Sequence, residues 1–439
     1  MTEITLVACM FGALLLLIVA GFHIYIALAA VTIAGVWVFA GSFDLAMSLL
    51  STTMVEALRD YVFAVIPLFV LMGEFLARSG AATDLYKLMN RAFSALPGRL
   101  AVATVAGNTV FAAAVGVSIA SAATFTRIAY PEMKAQGYSD SVALGCIAGS
   151  ASLGMLIPPS VLLIIYGMLN EMSIGALFAA GILPGLTLAG FFCIYVLGLA
   201  ILRPASVGEA GRGSAKPKVA PLTPSNKWGG LSTIGVIFLV LGGIWFGWFT
   251  PTEAAGIGAM LGFLVALGKG LRGKDLIEAI LHTGRVSAPL LFLLIFGQFY
   301  GRLMAFGGVV ELLDATISGW GLSPGILLLT MVVVWFIMGM FIDSASIILL
   351  SIPIFAPIAV AAGFEPLQFA IIAILAIEAG ILTPPLGLCV YTVKAAVGDN
   401  SITLGKIFLG ATPYWIMLLL LIFLLVYVPA LATYLPSVM

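Results

Sequence analysis

Gly154-Met155-Leu156-Ile157-Pro158-Pro159-Ser160 interrupts a long apolar segment. Two consecutive prolines remove two backbone donors and push the preceding residues out of α geometry, freeing carbonyls that lipid cannot satisfy. The stretch has a counterpart 226 positions further on, Gly380-Ile381-Leu382-Thr383-Pro384-Pro385, which repeats Gly-x-Leu-x-Pro-Pro. The same gapless offset carries Ser118 to Ser344, Pro131 to Pro357, Gly137 to Gly363 and Tyr138 to Phe364. A register that extends this far beyond one motif marks an internal duplication. Broken apolar helices at matching places in two repeats point to the substrate and ion site of a secondary transporter.

Hydrophobic residues make up 62% of the 439 and charged residues 9%, with a mean hydropathy of +1.20. That composition is one of a polytopic membrane protein and excludes a soluble domain. Net charge is zero, so no basic surface argues for nucleic acid. The first apolar segment, about 4–22, lacks a basic region before it and runs almost directly into a second span, which reads as a retained helix. Cys9, Cys146, Cys193 and Cys389 lie in apolar segments without metal-ligand spacing, and His23 and His282 stand alone at helix ends. Gly268 to Lys274 spells GxxxxGK, but Asp275 stands where a P-loop needs Ser or Thr, so no ATPase is encoded.

Taken in order, the chain gives spans near 4–22 and 24–41, an amphipathic interfacial stretch from Leu45 to Leu58, and a third span over 61–77. A basic interfacial segment follows, carrying Arg78, Lys87, Arg91 and Arg99. Residues 100–130 are rich in small residues and interrupted at Val115-Gly116-Val117-Ser118, which predicts a re-entrant helical hairpin with its tip at mid-membrane. The broken helix occupies 139–172 and a last span 176–202, which completes a first repeat over 1–202. Residues 203–227 turn to Gly, Ser, Pro and Lys and predict a solvated linker. The second repeat, 228–439, predicts spans near 231–249, 253–268 and 287–304, a hairpin over 322–361, a broken helix over 367–397 and a final span over 408–430.

Each copy thus makes five crossings plus one hairpin, and an odd number sets the copies upside down relative to one another. The fold class is therefore an all-α polytopic membrane protein of two inverted-topology repeats. Charge fixes the expected orientation. With the linker cytoplasmic, only Arg59 and Arg302 of the 19 Lys and Arg residues fall outside. Both termini then lie outside, the first hairpin enters from the cytoplasm and the second from the opposite face.

Ser118 and Ser121 sit three residues apart at the first hairpin tip, beside carbonyls released around Gly154, Ile157 and Pro158. A cage of such neutral oxygens suits Na⁺; the competing reading is that small residues only allow close helix packing. Gly339, Gly380 and Thr383 offer an equivalent cage in the second repeat, with Asp343, Ser344 and Ser346 at its hairpin tip. Asp343 and Glu378 are acids inside apolar segments and are functional candidates on that ground, against a structural hydrogen bond for Glu378. Glu74 can pair with Arg78 one turn on. Arg127, at the foot of the first hairpin, can meet an anionic substrate or the interface.

The run Gly116-Val117-Ser118-Ile119-Ala120-Ser121-Ala122-Ala123-Thr124, Pro131-Glu132-Met133-Lys134 with Gly137-Tyr138, the Leu-Ile-Pro-Pro-Ser break and the later Thr-Pro-Pro-Leu-Gly together resemble the large permease subunit of TRAP (tripartite ATP-independent periplasmic) transporters. The resemblance covers nearly the whole chain. It implies a Na⁺-driven importer of organic acids such as a C4-dicarboxylate or sialic acid, in the bacterial inner membrane, with an elevator movement of hairpins and broken helices typical of the wider ion transporter superfamily. About two Na⁺ ions are implied, one at Ser118, Ser121, Gly154, Ile157 and Pro158, the other at Gly339, Gly380, Thr383 and Leu386. Arg127, Asp343, Ser344 and Ser346 are the candidates for substrate. A small membrane subunit, expected as a separate chain, and a periplasmic substrate-binding protein are the implied partners. The chain departs from the family where a common Ser-Gly-Ser-Ser reads Ser118-Ile119-Ala120-Ser121, so a hydroxyl contact at position 120 is absent.

Two other readings stay open at this level. One is a Na⁺- or H⁺-coupled carrier that needs no binding protein. The other is an intramembrane enzyme built on Asp343 or Glu378, against which stands the lack of a paired His-Glu or Ser-His motif at membrane depth.

Overall fold

The computed structural model describes residues 3–208, 221–309, 312 and 322–439. The first copy begins with α1 (Glu3–Val19), α2 (Ile24–Ala40) and α3 (Phe43–Arg59). It continues with α4 (Val65–Arg78) and α5 (Ala81–Ala92). Ser42 caps the amphipathic α3 by accepting from the Leu45 amide at 3.3 Å. Asp60 then ends it and starts a short 3₁₀ turn, Tyr61–Ala64, through a 2.9 Å bond from the Val62 amide.

The expected hairpin is α6 (Arg99–Val115) and α7 (Ser118–Ala135). Gly116 closes α6 at φ 66°, a left-handed conformation that glycine adopts at little cost. The broken helix consists of α8 (Asp140–Ala151), α9 (Leu153–Leu156) and α10 (Val161–Leu169), and α11 (Ile174–Leu202) ends the copy.

The start of the linker is tighter than its composition implies. Ser139 donates its amide to the Ser206 carbonyl at 3.0 Å, Tyr138 and Val207 form an antiparallel bridge, and Val207 is buried. Linker residues 209–220 lie outside the described residues. At its other end Thr223 and Asn226 form a reciprocal capping box with Pro224 at the first helical position, so α12 (Pro224–Trp245) starts several residues before the expected span.

α13 (Pro251–Gly268) follows, with its own Thr250–Glu253 capping box. α14 (Lys274–Phe306) differs from expectation: interfacial arm and span form one helix of 33 residues rather than a separate span at 287–304. Its first copy equivalent is split at Asp60, whereas Pro289 is carried inside α14. At about 1.5 Å per residue this helix exceeds an apolar slab of about 30 Å, so its charged first turns extend past it.

The second hairpin comprises α15 (Pro324–Gly339) and α16 (Ser344–Ala361), the second broken helix α17 (Pro366–Gly380) and α18 (Leu388–Val397), and the last span α19 (Leu404–Tyr427). A short α20 (Ala430–Ser437), beyond the expected final span, packs back on α11.

Partners exchange between copies as a two-fold relation requires. α4 packs on α13 while α2 packs on α14, and α7 packs on α18 while α10 packs on α16. Aligned residues take matching conformations: Gly137 and Gly363 have φ of 84° and 89°, and the Pro158–Pro159 and Pro384–Pro385 bonds are both cis. With an odd number of crossings per copy, the two repeats are inverted. Among the described residues, eight helical segments are long and apolar enough to cross a membrane, and the chain is a multi-pass membrane protein.

Every ion pair among the described residues joins groups that the charge reading puts on one face. Arg302 meets Glu56, one turn before Arg59, on the face expected outside. On the other face Arg78 meets Glu74 and Glu278, His282 meets Glu74, Lys269 meets Asp84 and Lys134 meets Asp399.

Candidate functional site at the two hairpin tips

Each hairpin tip is seated on the break of its own copy. Gly116 accepts the Val161 amide at 3.2 Å, and a Cβ on Gly116 would lie 2.6 Å from the Pro159 carbonyl oxygen. Gly154 faces the same tip: its Cβ would stand 3.2 Å from the Ser118 amide nitrogen. In the second copy the Leu386 amide donates to Met340 at 3.3 Å. Gly339 and Gly380 touch there, and a Cβ on either would lie within 2.8 Å of the other's Cα. At Gly116, Gly339 and Gly380 only glycine permits the approach.

The backbone around the breaks is repaired differently. Pro158 lacks the amide that would meet the Gly154 carbonyl, and Pro159 lacks the one for Met155. The Ser160 hydroxyl donates to the Met155 carbonyl at 2.5 Å and its oxygen caps α10 by accepting from the Leu163 amide at 3.4 Å. At the second break Thr383 donates its amide to Gly380 at 2.9 Å and its hydroxyl to Ala379 at 2.7 Å, and Cys389 donates its amide to Ile381 at 3.3 Å.

The two tips meet at one side chain. Ser118 Oγ donates to Glu378 Oε2 at 2.6 Å and Ser344 Oγ donates to Glu378 Oε1 at 2.9 Å. Glu378, near the end of α17, is 1% exposed. Ser118 is the first residue of α7 and Ser344 the first of α16, so the positive ends of two helices flank the carboxylate.

Of the residues picked from sequence, Ser121 donates to Asn108 Oδ1 at 2.8 Å, and Asn108 Nδ2 donates to Ser150 Oγ at 2.7 Å. Asn108 and Ser150 were not singled out by sequence reasoning, although an amide inside the small-residue arm of a hairpin is itself a signal. Asp343 caps α16, accepting from the Ser346 amide at 3.0 Å and the Ser346 hydroxyl at 2.5 Å. Ile157 and Thr383 are buried, whereas Leu386 is 41% exposed. Arg127 is exposed and nine residues along α7 from the tip, roughly 13 Å away by helical rise, so it is not brought to the other candidates.

At the foot of the first hairpin, away from its tip, Lys134 stands 3.4 Å from Asp399. The Ser401 hydroxyl and amide, with Lys134 adding its charge, hold the Asp399 carboxyl down at about 2.

Two inverted copies, each with a hairpin seated on a proline-broken helix, are an architecture of secondary membrane carriers. The model of the DctM component of tripartite ATP-independent periplasmic transporters matches residues 11–431, and the chain belongs to that family. It is 32% identical over 395 residues to the C4-dicarboxylate TRAP transporter large permease protein DctM of Pseudomonas aeruginosa, covering 88% of this chain and 89% of that protein. It is 30% identical to the ectoine TRAP transporter large permease protein TeaC of Halomonas elongata, over 98% of each. Among solved structures, the Alcanivorax borkumensis YdaH transporter superposes with a TM-score of 0.59 at 16% identity, covering 89% of this chain and 88% of that one, a likeness of fold.

Proposed function

We propose that this chain is the membrane carrier of a Na⁺-coupled importer of an organic acid. The observation that carries the reading is the convergence of both hairpin tips and both helix breaks, with main-chain and hydroxyl oxygens gathered at each. Oxygens without a full carboxylate apiece suit a weakly charged alkali cation, and irregular backbone deep in a membrane protein is retained where it lines such a site. Ser118, Ser121, Gly154, Ile157 and Pro158 would hold one ion, and Gly339, Gly380, Thr383 and Leu386 a second. Asp343 and Ser346 lie at the second tip and are the polar groups proposed for substrate, while the Ser344 hydroxyl between them is given to Glu378.

The named relatives act on a C4-dicarboxylate and on ectoine, both small carboxylate-bearing molecules. A tripartite system supplies the remaining parts: a small membrane subunit and a periplasmic binding protein that delivers the acid. The hairpins and broken helices would move together as an elevator against the α2, α4, α13 and α14 scaffold, in the bacterial inner membrane with both termini periplasmic.

Reconstitution of all three components in proteoliposomes tests this. Uptake of an organic acid is expected only with an inward Na⁺ gradient and the binding protein present. Uptake without the binding protein supports a self-sufficient carrier, and uptake indifferent to Na⁺ removes the coupling.

A further inference from the structure

Glu378 is an acid in the protein interior with no Lys, Arg or His paired to it among the described residues. Every ion pair among the described residues lies elsewhere. A buried acid without a basic partner is costly, and hydroxyl donors with two helix N-termini offset that cost only in part. An acid kept in such a place is a functional candidate by default.

The hydrogen bonds point to the function. A serine hydroxyl has one proton and two lone pairs. Ser118 and Ser344 each give that proton to Glu378, which turns their lone pairs away from the carboxylate. Ser118 abuts Gly154 at the first break. Ser344 opens α16 at the second hairpin, whose other arm ends at Gly339 against Gly380. One carboxylate therefore polarises a hydroxyl in each copy at once.

We propose that Glu378 is the shared counter-charge of both cation cages. It holds the Ser118 and Ser344 hydroxyls by their protons so that their lone pairs serve alkali cations at the two breaks, and it supplies the negative charge that cages of neutral oxygens lack. Glu378 is then a positioning residue that couples the two ion sites. The inference rests on the Na⁺-coupled reading.

Glutamine separates charge from shape, because its Oε1 can accept from one serine while its Nε2 must donate to the other, reversing that hydroxyl. In the reconstituted three-component system, Glu378→Gln is expected to raise the Na⁺ half-saturation of uptake by about tenfold or more and to lower its cooperativity. Its melting temperature in Na⁺-free buffer should stay near that of the unmodified protein while the Na⁺-induced rise in melting temperature shrinks. If Glu378→Gln does not accumulate in the membrane, Ser344→Ala keeps the charge and should still raise the Na⁺ half-saturation. Na⁺ curves unchanged by Glu378→Gln, or by Ser344→Ala in that case, in a protein that does respond to Na⁺, overturn the proposal and leave the coupled reading standing. An unmodified protein indifferent to Na⁺ overturns both.

Discussion

Ser118 Oγ donates to Glu378 Oε2 across 2.6 Å although 260 positions separate the two residues. The bond runs from the tip of one repeat's hairpin to the broken helix of the other, so the two repeats are joined through their interrupted helices. With the Ser344 bond to the same carboxylate, both tips share one anchor.

The hydroxyls next to that anchor should govern the ion dependence of transport. Ser121→Ala and Thr383→Val are each expected to weaken the Na⁺ dependence of uptake while the protein still folds. Ser121→Ala also leaves Asn108 Oδ1 short of one donor, with a destabilisation of about 1–3 kcal/mol. Na⁺ titrations of uptake check the first point and thermal melts the second; superimposable titrations for both variants would remove these residues from the cages.

The two copies should face opposite sides of the membrane. In a background with the four native cysteines replaced, Arg59→Cys and Arg302→Cys should react with an impermeant thiol reagent from one face, and Lys134→Cys and Asp399→Cys from the other. Arg302 and Lys134 labelling from the same face would end the inverted arrangement.

Lys269 and Asp84 form a largely buried pair at the C-terminal end of α13, and Asn226 Nδ2 donates to the same carboxylate at 2.6 Å. Removing one charge strands the other, which typically costs about 3–5 kcal/mol. Asp84→Ala and Lys269→Met should each lower the melting temperature sharply, and the double replacement should recover part of the loss. Singles that melt like the unmodified protein would show the pair to be open to water.

Helices α8 and α19 touch through glycine. A Cβ on Gly145 would lie 2.2 Å from the Gly410 carbonyl carbon, and one on Gly410 would lie 1.9 Å from the Ser141 carbonyl oxygen. Backbone cannot yield as a side chain can, so Gly145→Ala is expected to cost at least about 1–3 kcal/mol by overpacking. Gly190→Ala, with open space around the added methyl, is the control and should melt as before. Equal melting of both variants would contradict the packing described.

Much of the fold was legible because its decisive signals are local. Prolines at 158, 159, 384 and 385 break a helix wherever they stand, and Gly116 ends one, so hairpin and break could be placed from the chain alone. The boundaries that differ are those set by competition: α14 begins at Lys274, well before the expected span at 287–304, and the start of the linker is pinned by Val207. The candidate site was legible only by parts. Ser118, Ser344 and Glu378 could each be picked out, but not their meeting, and Asn108 and Ser150 were passed over.

The sequence by itself determined an inverted duplication with a hairpin and a double-proline break in each copy, because backbone geometry and hydropathy act over a few neighbouring residues. Only the tertiary structure decided that both tips close on one carboxylate and that Arg127 stands apart from them. Hydrogen bonds between residues hundreds of positions apart are fixed by how the helices pack, and no local pattern records that packing.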